Sequence, residues 1–394
     1  MKLSAKALGI SPSITLKVTA MAKKMQQEGR DVVGFGAGEP DFNTPANIVE
    51  AAKTALDKGL TRYTPSSGTV ELRKAVADRL AKKYGLTYTP GEIVISNGAK
   101  HSLFNAFAAI LNPGDEVIIP VPYWLTYPEL VRMHDGIPVF LETDDTFKAT
   151  ADSIRAAITP NTKALILNSP SNPCGTVYSR AELEAIAALA VEKEIFVISD
   201  EIYDELIYDG EHVSIASFGE QIKKQTILVN GLSKTYAMTG WRIGYTASTK
   251  EIAELMDAYQ SHATSNPNSI AQFASVEALS GPQDEITRMR EAFNGRRKLL
   301  CGLINEIDGL SCTVPGGAFY VMMNISKSKG KSYNGETIKD SLDYTELLLK
   351  YAEVAVVPGI SFGADDYVRL SYATSEANIR KGMERIKSFT QALK

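Results

Sequence analysis

Between positions 45 and 279 the chain alternates between two kinds of segment. Short apolar runs, mostly β-branched, are separated by longer stretches whose apolar positions recur every three to four residues. The runs at 93–96, 116–119, 138–141, 164–168, 195–200, 226–229 and 242–247 read as strands. Several are apolar almost throughout, which predicts burial on both faces of a mostly parallel sheet. The intervening segments, such as 180–193, predict helices. Regular alternation of the two predicts an α/β fold: a seven-stranded sheet between helices, joined by right-handed crossovers.

Beyond position 282 the pattern changes. A long charged helical stretch from Asp284 to about Glu306 leads into strand-like runs at 311–314 and 318–324. A segment rich in Lys, Ser and Gly (326–335) precedes a helix near 344–351, strands at 354–357 and 367–372, and a terminal helix from Glu376. These strands are too scattered to extend the first sheet, so they predict a second, smaller α+β domain. Ahead of Gly34, Ser11-Pro12-Ser13 and a helical stretch to about Gln27 read as an arm packing with that domain. The implied division is 46–285 for the large domain, and 1–45 with 286–394 for the small domain and its arm.

Composition narrows the function. The 394 residues are 44% hydrophobic and 22% charged, enough for a large core and unlike a disordered chain. Lys and Arg number 42 against 46 Asp and Glu, a net charge of -4, which excludes a nucleic-acid footprint or an anionic-membrane binder. No apolar run approaches the roughly 18 residues of a membrane span, and the first residues carry no signal-peptide core. Three cysteines argue against a disulfide framework, and four dispersed histidines show no metal spacing. A cytoplasmic, soluble, metal-free protein is expected.

Three strand ends carry candidate chemistry. The run Thr226-Ile-Leu-Val-Asn-Gly-Leu-Ser leads straight to Lys234. Most lysines are solvated, but desolvation at the end of a buried strand lowers an amine's pKa and frees it to form a Schiff base. Ser-Lys-Thr here is no phosphate loop, because Ser233 replaces the glycine that loop needs. Asp200 ends another run, with Tyr203 three residues on; it reads either as a helix cap or as the carboxylate partner of a cationic ring nitrogen. Asn172, between Ser171 and Pro173, follows a third run in a turn-rich loop and is free to point into a cleft. Ser96-Asn97-Gly98-Ala99-Lys100 opens an apolar helix, a position suited to a phosphate. The glycines from Gly34 to Gly38 lack dinucleotide spacing and precede no helix.

Together these segments resemble the fold type I pyridoxal-phosphate aminotransferases over essentially the whole chain. The most specific stretch is Ser233-Lys234-Thr-Tyr-Ala-Met-Thr-Gly-Trp-Arg242-Ile-Gly-Tyr, supported by Ser171-Asn172-Pro173, Ser199-Asp200-Glu201-Ile-Tyr203 and Arg369-Leu-Ser. Within that family the chain is most similar to bacterial-type aspartate aminotransferases, through Gly38-Glu-Pro-Asp-Phe, Arg62-Tyr63-Thr-Pro, Lys100 and Pro122-Tyr-Trp124.

The resemblance implies pyridoxal 5'-phosphate bound to Lys234, which would also shuttle the substrate proton. It implies Asp200 at the pyridine nitrogen, Asn172 and Tyr203 at the phenolic oxygen, and Trp124 on the ring face. Gly98, Ala99, Ser233 and Arg242 would hold the phosphate, with Tyr63 reaching it from the other subunit of a homodimer. Arg369 would clamp the substrate α-carboxylate, and Gly38 would line the substrate. Trp124 and Asn172 would also touch the substrate, Lys100, Ser13 and Thr15 would read an acidic side chain, and Lys100 would border the cofactor as well. The implied reaction is ping-pong transamination between L-aspartate and 2-oxoglutarate. Prephenate or aromatic aminotransferases, and more remotely a carbon–sulfur β-lyase, are the alternatives. Two departures stand out. Gly231 occupies a position where some relatives have a phosphate-binding serine, and no arginine lies between Arg242 and Arg288 to read a second carboxylate.

Overall fold

The computed structural model describes residues 2–11 and 14–394, without the side chains at 14–17 and 19. Seven strands form the main sheet, in the order Ile93–Ser96, Gly244–Ala247, Thr226–Gly231, Phe196–Asp200, Thr162–Asn168, Glu116–Pro120, Ile137–Leu141. All run parallel except Gly244–Ala247, which is antiparallel to both neighbours. Every strand expected for the large sheet is present, with ends shifted by two residues at most. One shift has a clear cause. Arg242 has a φ of 58° and closes a 3-10 turn, so the last strand begins only at Gly244.

The sheet is buried on both faces. Along Thr226–Gly231, Ile227 and Val229 pack with Leu103, Phe107 and Met256 of one helical layer. Leu228 points the other way, towards Leu72, Leu80 and Ala274. This period of two explains why the strand is apolar throughout. Only Ile137–Leu141, at the sheet edge, leaves Ile137 and Phe140 exposed.

A smaller antiparallel sheet has the order Val357–Pro358, Tyr367–Ser371, Tyr320–Asn324. It shares one apolar core with helices Asp284–Asn305, Ser341–Ala352 and Glu376–Gln391, and forms the second domain. The arm joins it: helix Ile14–Gln27 places Val18 and Ala22 against Leu349 and Ala355. Two expectations need correction. The run at 354–357 is not one strand, because Val354–Ala355 pairs with Val33–Gly34 while Val357–Pro358 joins the three-stranded sheet. The run at 311–314 makes a single bridge, Ser311 to Asn324, before Pro315 and two glycines turn the chain away. Ile202, Tyr203 and Leu206, just beyond strand Phe196–Asp200, are buried in the small domain's core. The ends of the large sheet's strands therefore meet the second domain.

Candidate active site

Open α/β sheets place ligands beyond the carboxyl ends of their strands, and three candidates stand there. Asp200 is the last residue of its strand and is buried. Its carboxylate accepts hydrogen bonds from the Tyr127 hydroxyl at 2.7 Å and the Ile202 N–H at 3.2 Å. Burial pushes its pKa up to about 6, against the opposing pull of Tyr127. Lys234 follows the end of Thr226–Gly231 in a turn closed by Tyr236 N–H to the Leu232 carbonyl and Met238 N–H to the Ser233 carbonyl. Its amine donates to the Gly38 carbonyl at 2.5 Å. The residue is only half-buried, but the protein around the amine removes enough water to lower its pKa to about 8. Glu39 opposes that shift, and Arg242, Arg369 and Asp200 all lie close enough to act on the amine's charge.

The second group surrounds the helix Ala99–Ile110. Gly98 caps it with a φ of 84°, and a Cβ there would lie 2.3 Å from Arg242 Nη2. Glycine is thus required for the guanidinium to lie against the helix start. Gly244 matters equally, since its Cβ would fall 2.2 Å from the Ala99 nitrogen. Arg242 is oriented by hydrogen bonds to the Thr239 carbonyl at 2.9 Å and the Asn97 carbonyl at 3.3 Å. The first N–H groups of a helix lack intrahelical acceptors, so Gly98, Ala99 and Arg242 together form a cradle for an anion. Ser233 is buried nearby in the Lys234 turn. Gly231, the departure noted above, has a structural reason. A Cβ there would meet the Ile243 carbonyl oxygen at 2.9 Å, leaving no room for serine without a backbone shift.

Trp124 stands edge-on to Tyr127, 5.4 Å between ring centroids, and the exposed Lys100 ammonium lies 5.1 Å from the Trp124 ring. Partial burial, and then the charge of Arg242, lower the Lys100 pKa, so Lys100 borders both the ring platform and the anion cradle.

The third group comes from the small domain. Arg369, in strand Tyr367–Ser371, is 3% exposed. It donates to Asn172 Oδ1 at 2.8 Å and to the Gly36 carbonyl at 3.2 Å, while its buried Nε has no partner. The Tyr320 ring, 4.4 Å from the guanidinium carbon, and the Phe362 ring, 5.1 Å away, flank it. No carboxylate pairs with it among the described residues. A buried guanidinium without a counter-charge is costly, so this one suits an incoming carboxylate. Tyr203 is buried with its hydroxyl 3.0 Å from that of Tyr320.

Lys234, Asp200, Asn172, Tyr203, Arg369, Gly38, Gly98, Ala99, Lys100, Trp124, Ser233 and Arg242 thus converge where the two domains meet. Tyr63 does not join them within the chain; it is 90% exposed. Ser13 and the side chain of Thr15 lie outside the described residues. Tyr127, Tyr320 and Glu39, whose carboxylate accepts from the Thr239 hydroxyl at 2.9 Å, were not anticipated. Tyr127 had a signal, three residues after Trp124 and so on the same side of a helical turn. A cavity of about 30 Å³ lined by Tyr127, Asn172 and Thr176, among others, is too small for an organic ligand. No cluster of metal-binding side chains occurs among the described residues.

This constellation fits pyridoxal phosphate by its own chemistry. An anion cradle, a buried carboxylate suited to a ring cation, and an amine readily neutral are what that molecule needs. Comparison with known proteins agrees. The aminotransferase class I and II family matches residues 30–386. The aspartate aminotransferase of Bacillus sp. (strain YM-2) is 47% identical over 97% of each chain. The aspartate/prephenate aminotransferase of Cereibacter sphaeroides is 45% identical over 98% of this chain and 97% of its own. The solved structure of Thermus thermophilus aspartate aminotransferase with maleate superposes with a TM-score of 0.94 at 44% identity, covering 99% of this chain and 100% of that one. With the fold, the site and the sequence in agreement, the chain belongs to the class I and II aminotransferases, as a transaminase of the aspartate aminotransferase family with the fold type I architecture of pyridoxal-phosphate enzymes.

Proposed function

We propose that the protein moves the amino group of L-aspartate to 2-oxoglutarate by a ping-pong mechanism, with pyridoxal 5'-phosphate held at Lys234. The observation that carries this reading is that the Lys234 amine and the buried, carboxylate-free Arg369 guanidinium reach the same backbone segment, at the Gly38 and Gly36 carbonyls. When bound, pyridoxal phosphate supplies a carbonyl that accepts the amino group and a cationic ring that withdraws electrons from the substrate's α-carbon. The chain's residues do the rest. Lys234, its pKa lowered to about 8, holds the cofactor and, once displaced, carries the proton to and from the α-carbon. Asp200 keeps the ring nitrogen protonated and is itself held by Tyr127. Asn172 Oδ1 is engaged by Arg369, which leaves its NH₂ group as the donor that, with Tyr203, would hold the phenolic oxygen. Trp124 would cover the ring face, and Gly98, Ala99, Ser233 and Arg242 would take the phosphate. Arg369 binds the α-carboxylate through its planar fork, with Gly38 beside it.

Tyr63 is proposed to complete the phosphate site of a second subunit, and its 90% exposure beside a well-packed fold supports that. Inactive Tyr63→Ala and Lys234→Ala proteins, unfolded and refolded together, should then regain activity from hybrid dimers carrying one intact site. Verified hybrids with no recovery would return Tyr63 to its own chain. A cytoplasmic location is proposed alongside, from the composition.

Lys100 is the cation proposed to read the second carboxylate in place of an arginine. A charge-assisted hydrogen bond contributes roughly 1.5–3 kcal/mol, or about ten- to a hundredfold in kcat/KM. Lys100→Ala should lose that much with aspartate and glutamate, and under about threefold with alanine or phenylalanine. Thr15→Val should show the same bias more weakly. An equal loss for every substrate, with weaker cofactor binding, would assign Lys100 to the phosphate, a role its proximity to Arg242 also permits. Prephenate is the second reading, favoured by the name of the Cereibacter relative. It too presents two carboxylates, so arogenate belongs among the amines tested.

A further inference from the structure

Tyr203 and Tyr320 bring two buried phenols from different domains to 3.0 Å. Neither hydroxyl has another hydrogen-bond partner among the described residues. The pair therefore holds two protons and one shared hydrogen bond, and one proton must point elsewhere. If Tyr203 donates to Tyr320, it has nothing left to give the cofactor. If Tyr320 donates, both protons are used. Tyr320 pairs in register with Ser371, one pleat away from Arg369, so Tyr320 and Arg369 are diagonal neighbours on one face of the small sheet. The guanidinium lies 4.4 Å over the Tyr320 ring, and a cation placed there makes the phenol a stronger donor. Gly38 completes the contact, since a Cβ there would lie only 3.4 Å from the Tyr320 hydroxyl.

We propose that Tyr320 is a positioning residue: its hydroxyl donates to Tyr203 and so aims the Tyr203 proton at the cofactor's phenolic oxygen. This rests on the placement of pyridoxal phosphate at Lys234. The ring of Tyr320 braces the carboxylate-binding arginine while its hydroxyl sets Tyr203. One side chain of the small domain thereby serves both the substrate clamp and the cofactor's electronics.

The test separates ring from hydroxyl. Tyr320→Phe keeps the ring under Arg369 and removes the donor. A weaker donor at the phenolic oxygen disfavours the deprotonated cofactor. The pH midpoint of the holoenzyme's visible absorption should therefore rise by about half a unit, with kcat down about three- to tenfold and KM for aspartate within about twofold. In a Tyr203→Phe background, Tyr320→Phe should move the midpoint no further. Tyr320→Leu, which also removes the ring, should add a rise of about tenfold in KM for every amino acid. An unmoved midpoint in Tyr320→Phe, or an equal shift without Tyr203, would overturn the role of Tyr320 alone. A pyridoxyl label that maps, after borohydride reduction of the holoenzyme, to a lysine other than Lys234 would overturn both this role and the cofactor's placement.

Discussion

Replacing Lys234 by alanine should lower turnover by about four orders of magnitude or more while leaving the fold intact. The residue has two tasks, holding the cofactor and moving the substrate proton, and proton transfer alone is worth about 10²- to 10⁴-fold. Its structural contribution is small by comparison: it is half-buried and its amine makes one hydrogen bond, to the Gly38 carbonyl. The pH dependence follows from the same environment. Loss of water disfavours the charged amine and brings its pKa down to about 8. Uptake of pyridoxal phosphate by apoprotein should therefore quicken as pH rises through about 8 and level off above it. An ordinary lysine, with a pKa of about 10.4, would still be gaining at pH 10. Borohydride reduction of the holoenzyme should fix the pyridoxyl label on Lys234, and a label on another lysine would contradict the assignment.

The second large effect is expected at Asp200, where two roles compete. Its carboxylate accepts the Ile202 N–H at 3.2 Å, a capping contact whose loss costs about 1 kcal/mol. As the partner of a buried ring cation it would be worth about 3–5 kcal/mol, or roughly 10²- to 10⁴-fold in rate. Asp200→Ala should fall in the second range, with the fold preserved. Asp200→Asn separates the roles further: its one amide oxygen can still accept the Ile202 N–H, the capping contact, while its NH₂ group faces the Tyr127 hydroxyl and the side chain carries no charge. It should be nearly as slow as the alanine variant. Activity within about threefold of the parent in either variant would leave Asp200 a structural cap.

The site was legible where local sequence alone set it. Asp200 and Lys234 stand at or just past the ends of runs so apolar that a charged residue following them was a candidate for a cleft. Gly98 was visible as a turn opening a helix. Arg369 was reached only through resemblance, since its strand resembles many others and its unpaired burial depends on the Tyr320 and Phe362 rings packed around it. Tyr320 carried no signal, because its meeting with Tyr203 depends on how the small sheet's register is set against the large one. The same non-local choice split the run at 354–357 between two sheets. Gly231 read as a missing phosphate contact, yet it proved to be a packing requirement against the Ile243 carbonyl. In each case the hidden information lay in the approach of another part of the chain, side chain or backbone, which neither periodicity nor local composition records.

The most direct test is a single half-reaction: the purified holoenzyme mixed with L-aspartate alone in a stopped-flow spectrophotometer, with the products counted. Conversion of pyridoxal phosphate to its pyridoxamine form should yield one oxaloacetate per active site, then stop until 2-oxoglutarate is added. It should run faster with aspartate and glutamate than with alanine, phenylalanine or arogenate. Release of ammonia, continued turnover without an oxo acid, or a preference for arogenate or phenylalanine over aspartate would contradict aspartate:2-oxoglutarate transamination at this site.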